Sequence, residues 1–172
     1  VFAESVREQN RQGVAGELAV IYDRKDKFLA VGLFDPDSPI RVRVLHTGKP
    51  VTLDAGWWAE RLDAAVRQRD GLFDARTTGY RLINGESEGW PGLVLDRYDM
   101  TLVLKVYTAA WLGRLEEIIT LICERTKPEQ MILRMSRNIQ NAARDAAVLP
   151  HPDPLPLGEG ESRAAGPRVW RD

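Results

Sequence analysis

The stretch that decides the fold is Tyr80-Arg81-Leu82-Ile83-Asn84-Gly85-Glu86-Ser87-Glu88-Gly89-Trp90-Pro91-Gly92-Leu93-Val94-Leu95-Asp96-Arg97-Tyr98. Two apolar runs, Leu82-Ile83 and Leu93-Val94-Leu95, flank a segment of Gly, Glu, Ser and Pro. Three glycines and one proline fall within eight residues, 85–92, which rules out a helix interior or a central strand. Glycine supplies positive φ at little cost, and Pro91 removes a backbone donor. The pattern predicts a strand, a long structured turn and a second strand. A simple reversal needs only about two to five residues and no particular acids. This turn is longer and holds two carboxylates, an amide and a Trp, the make-up of a functional or docking loop.

Downstream, Asp99-Met100 is a turn and residues 101–107 read as a strand rich in side chains that suit a pleated surface. Residues 111–125 are the clearest helix: Leu112, Leu115, Ile118, Ile119 and Ile122 make one apolar face, and Lys127-Pro128 stops it. Residues 130–135 are a further strand. Upstream, Asp54 is placed to cap a helix over 57–69 whose buried stripe is Trp58, Leu62, Ala65 and Val66. Before it come three short strands, 16–23, 28–34 and 40–45, separated by polar turns, the pattern of a small barrel. Residues 1–6 read as the end of one more strand. In 40–45 apolar and basic residues alternate, so Arg41 and Arg43 share one face. That face is either a solvated exterior or a pair of phosphate contacts.

The run 81–98 resembles the signature of the middle domain of bacterial large-subunit rRNA (cytosine-5) methyltransferases. Residues 28–43 resemble the segment that closes the PUA barrel of that family, with Asp35 where the family usually has Asn. Ser136-Arg137-Asn138-Ile139-Gln140 resembles its lead into the catalytic domain. The resemblance implies an N-terminal PUA RNA-binding barrel, a strand-strand-helix-strand-strand middle domain, and a Rossmann-like domain that binds S-adenosylmethionine. The expected fold class is therefore α+β: a partial PUA-like barrel at 1–50, a small mixed strand/helix domain at 51–140, and a disordered tail at 141–172. Residues 150–161 are rich in Pro and Gly and lack periodicity. They resemble a translated bacterial repeat, and an interrupted gene is the expectation there.

Composition bounds the partners. The chain has 172 residues, 44% hydrophobic and 28% charged, with net charge −1. That balance counts against strong nonspecific nucleic-acid binding, so RNA contact has to come from local placement of cations. No apolar run reaches the ~18–20 residues of a membrane span. The single cysteine makes no internal disulfide or metal cluster, and a reducing cytoplasm is the default compartment. His46 and His151, on a predicted loop and in the tail, are not expected to bind metal.

The expected RNA contacts are Arg41, Arg43, Lys49, Arg67, Arg69 and Arg81. Asn84, Glu86, Asp96 and Arg97 are expected to organise the turn or dock a further domain. No glycine-rich strand-to-helix turn for a cofactor follows any strand. Cys123 lies mid-helix with no histidine near it in sequence, which reads as a small buried hydrophobe and not as a nucleophile. Glu86 and Glu88, two apart in an extended turn, would lie on one side, yet nothing accompanies them as a hydrolase pair. Trp90 is expected to pack against Pro91 and a neighbouring strand in preference to stacking on a base. The expectation is an rRNA-binding part without a catalytic residue or cofactor of its own, S-adenosylmethionine belonging to the intact family. An interaction protein or relic without an RNA role is the alternative. The incomplete barrel edge also invites self-association.

Overall fold

The computed structural model describes residues 1–146 and the backbone of 168–171. It contains two sheets and three α-helices, and is an α+β protein.

The first sheet is antiparallel, with order β1 (Leu18–Tyr22), β2 (Phe28–Phe34), β3 (Val42–Thr47). Between β2 and β3 the register shifts: Val31 faces His46 and Gly32 faces Val44, so Leu45 is an extra residue. A Cβ on Gly32 would lie 2.8 Å from the carbonyl carbon of Arg43, so only glycine permits this close approach. The bulge breaks the expected alternation. Val42 and Leu45, three apart, are the buried residues of β3. Residues 1–6 are also not the end of a strand: Ala3–Ser5 form a 3-10 turn. The N-terminus is tied to β3 by two backbone bonds alone, Val1 N to Val42 O at 2.6 Å and Val42 N to Val1 O at 3.1 Å.

Helix α1 (Ala55–Arg67) begins where expected. Asp54 is its cap, accepting from Trp57 N at 2.9 Å, and Trp58, Leu62 and Ala65 are buried. The second sheet follows: β4 (Gly79–Asn84), β5 (Leu93–Tyr98), β6 (Thr101–Val106), β7 (Gln130–Met135) and β8 (Arg168–Arg171), in that order. β4, β5 and β6 are antiparallel neighbours, whereas β6, β7 and β8 run parallel. The parallel step from β6 to β7 requires a crossover, and α2 (Leu115–Thr126) supplies it. The predicted helix over 111–125 is two pieces: Ala109–Arg114 is a 3-10 turn, capped by Thr108, and α2 starts only at Leu115. Trp111 provides the reason, since its indole donates to Pro91 O at 2.7 Å and holds the first turn tight against the loop. Lys127, at φ 47°, ends α2.

The expected disordered tail falls mostly on 147–167, outside the described residues. At its edges the chain departs from that expectation. Gln140–Asp145 form helix α3, and the backbone of Arg168–Arg171 pairs with β7 as the fifth strand. Local composition is a poor guide for a short edge strand, whose backbone bonds come from the partner.

Both sheets share one core. Leu33 and Leu45 of the first sheet cluster with Trp58, Trp90, Trp111, Leu95, Leu104, Ile118 and Leu133 of the second layer. Trp58 lies 5.4 Å from Trp90 and 5.5 Å from Trp111 between ring centroids, and Trp90 lies 6.0 Å from Trp111. All three rings are fully buried. Three indoles together bury roughly 450–750 Å² in the core shared by the two sheets.

Candidate nucleic-acid interface

The loop between β4 and β5 is where the chain converges. Gly85–Glu88 form a 3-10 turn, closed by Gly89 at φ 75°. This curvature separates the two carboxylates that an extended turn would have placed together. Glu86 accepts from Gly92 N at 3.0 Å and from Arg43 at 3.4 Å. Glu88 turns the other way, accepting from Asn84 N at 2.8 Å and pairing with Arg69. Asn84 and Ser87 close the turn, Ser87 Oγ donating to Asn84 O at 2.7 Å. Arg61, stacked on Trp57 at 4.1 Å, donates to Gly89 O. Trp90, expected to pack in preference to meeting a base, is fully buried beside Trp58 and Trp111.

The structure sorts the expected cations into two groups. Arg43 and Arg69 are held inside, with side chains 15% and 12% exposed: Arg43 reaches Glu86 across the two sheets, and Arg69 links Glu88 to Arg81 O at 2.9 Å. Arg41 is half-buried and donates to Pro36 O, on the 35–39 turn. It lies just outside β3, which begins at Val42. Lys49, Arg67 and Arg81 remain exposed. Lys49 also lends its carbonyl to His46 Nε2 at 2.9 Å.

Asp96 is the second centre. Its carboxylate is buried, accepting from Arg81 Nε at 2.9 Å and from Lys105 Nζ at 2.8 Å. Burial pushes the Asp96 carboxyl up, but the hydrogen bonds from Arg81 and Lys105, with their charges, outweigh it and hold it below its ordinary value. Hydrogen bonding to Asp96 correspondingly raises Arg81. Lys105 has no sequence signature: it alternates with apolar residues as any half-exposed strand residue does, and only register brings it beside Asp96. Arg97 lies at the hairpin, donating to Asp99 O at 2.9 Å. Arg69, Arg81, Asn84, Asp96, Lys105, Tyr80 and Tyr98 line an open groove of about 490 Å³ on this side.

Nucleophilic chemistry finds little support here. Cys123 is half-buried against the core, and burial pushes its thiol up, away from the reactive thiolate. No group of three or more His, Cys, Asp or Glu among the described residues is placed to hold a metal ion. The glycines of the 85–92 loop do not fit a cofactor cradle, because a side chain added at Gly89 or Gly92 would meet Arg61 or Thr108. No helix among them is long and apolar enough to cross a membrane.

This is an α+β chain whose first part, residues 1–47, matches the PUA-like domain family. Over most of its length it is homologous to proteins named ribosomal RNA large subunit methyltransferase. The relative from Deinococcus radiodurans is 55% identical over 153 residues, which is 86% of this chain and 38% of that protein. Ribosomal RNA large subunit methyltransferase I of Photobacterium profundum is 39% identical over 112 residues, 63% of this chain and 28% of that one. The chain thus spans well under half the length of these curated relatives. Two solved structures share the fold. One, from Streptococcus mutans and described as a SAM-dependent methyltransferase, has TM-score 0.63 and 17% identity over 73% of this chain and 34% of its own. The other, described as a methyltransferase and solved with SAH, has TM-score 0.65 and 18% identity over 74% of this chain and 34% of its own.

Proposed function

We propose that this chain is the RNA-binding and substrate-positioning N-terminal part of a SAM-dependent large-subunit rRNA (cytosine-5) methyltransferase, with catalysis carried by a further domain. The observation that supports this most is the PUA-like match at 1–47 on a chain 55% identical to a named rRNA methyltransferase. Residues 1–50 and 51–140 act as two units on one buried core, so RNA held by one is fixed relative to the other. Lys49, Arg67, Arg81 and Arg41 meet phosphates. Arg43 and Arg69 serve instead as struts between the units, with Asn84, Glu86 and Arg97 shaping the turns they join. S-adenosylmethionine would be supplied with its domain, and cytoplasmic rRNA is the partner.

Fluorescence anisotropy with a fragment of large-subunit rRNA tests the reading. Micromolar binding is expected at about 50 mM salt. Four phosphate contacts at the single-strand slope would weaken it roughly 50-fold by about 200 mM. Absence of binding at low salt, or binding indifferent to salt, would refute the reading.

A further inference from the structure

Among the described residues, helices cover one side of the second sheet. Leu93, Leu95, Leu102, Leu104, Val106, Met131, Leu133 and Met135 point into the core against α1 and α2. The alternate residues form the other side, and no described helix lies over it: Arg81 on β4, Val94, Asp96 and Tyr98 on β5, Thr101, Val103 and Lys105 on β6. This side combines half-exposed aliphatic residues, one exposed aromatic ring and cations. Arg81 and Lys105 share the single carboxylate of Asp96, so the trio carries net positive charge on a chain whose total is −1.

Geometry prepares the trio for an anion. Asp96 fixes both cations, one on each side of β5, so their side chains are already ordered when a ligand arrives. Arg81 remains 48% and Lys105 28% exposed. Tyr98 stands beside them at the groove, 54% exposed. Its pairing partner is Gly79, and a Cβ there would lie 3.4 Å from the Tyr98 ring. The ring therefore lies across bare backbone and shows its outer face to solvent. An exposed ring next to fixed cations on a sheet is the arrangement that takes stacked bases with their phosphates.

We propose that this open sheet face is a platform for single-stranded RNA, with a phosphate against Arg81 and Lys105 and a base stacked on Tyr98. The proposal rests on the RNA-binding reading and gives it a location away from the PUA-like sheet.

The test uses the full chain and a fluorescein-labelled single-stranded RNA of about twelve nucleotides and mixed sequence. Tyr98→Ala is expected to weaken binding about tenfold or more, and Tyr98→Phe to stay within about twofold of the parent. Lys105→Gln should weaken binding and lower the salt slope by about 0.7, one single-strand phosphate contact. If the parent binds RNA and Tyr98→Ala and Lys105→Gln bind equally well, the platform is refuted and the RNA lies elsewhere. If the parent binds no RNA at low salt, the broader reading fails and the platform fails with it. Should Tyr98→Ala lose its fold, Lys105→Gln decides alone.

Discussion

Thr108, capping the turn before α2, donates its hydroxyl to the Asp35 carboxylate of the first sheet at 3.0 Å, and both residues are buried. They are 73 residues apart in sequence, and this is a buried polar bond between the two layers, in addition to the Arg43–Glu86 pair. No cation pairs with Asp35 among the described residues; its other oxygen accepts from Asp37 N at 3.3 Å.

That leaves a buried carboxylate satisfied only by neutral donors. Thr108→Val removes this donor and also the cap acceptor for Ala110 N, and is expected to cost about 1–3 kcal/mol, the cost of unpaired buried groups. Asp35→Asn keeps an acceptor for Asp37 N and removes the buried charge, so it is expected to be neutral or stabilising by about 1 kcal/mol. Urea unfolding followed by Trp fluorescence measures both. A Thr108→Val protein as stable as the parent would show that the bond between the layers contributes nothing.

Gly89 is held at φ 75°, and a Cβ there would lie 2.6 Å from Arg61 Cζ. Gly89→Ala must either strain the backbone or expel Arg61 from Gly89 O and from the face of Trp57. A loss of roughly 2 kcal/mol or more follows from left-handed strain plus the broken contacts. Thermal melting of the variant, with Trp fluorescence reporting on the ring contact, provides the check.

Asp96 makes stability depend on pH. Its carboxyl is held below its ordinary value in the folded chain, so it contributes stability above the unfolded carboxylate pKa of about 3.9. That contribution disappears as pH falls through the lower folded value. Asp96→Asn should therefore be less stable than the parent by about 1–3 kcal/mol at pH 7, hydrogen bonds to a charged group being the loss. The gap should narrow below about pH 4. Parallel denaturation curves from pH 7 to pH 3 test it, and a constant gap across that range would contradict it.

Trp111 sits in all parts of the shared core: fully buried, near Trp58 and Trp90, and bonded to Pro91 O at 2.7 Å. Trp111→Ala is expected to cost about 3–5 kcal/mol through the cavity it leaves. Because Leu33 and Leu45 belong to the same cluster, amide exchange should speed up in both sheets and not in the second alone.

Local chemistry carried much of the fold. The capped helix after Asp54, the strands on either side of the 85–92 loop, and the end of α2 at Lys127 all follow from periodicity and breakers, which act within a few residues. Cys123, expected as a small buried hydrophobe, is only half-buried at the margin of the core. Elements that depend on distant partners were not legible. The 3-10 start of the second helix answers to Pro91, and the bulge at Leu45 answers to Gly32 on the neighbouring strand. The β8 pairing answers to β7 alone.

The sequence by itself determined which residues bear charge and which turn the chain: the acids of the loop, the glycines that shape it and the full set of cations. Only the tertiary structure decided which cations are spent. Arg43 and Arg69 are committed to Glu86 and Glu88, while Arg81 is joined by Lys105 on Asp96. A charge in sequence is not yet a charge available to a partner, because Coulomb pairing falls off within a few ångströms and sequence does not state those distances. Strand register and the packing of three indoles set them.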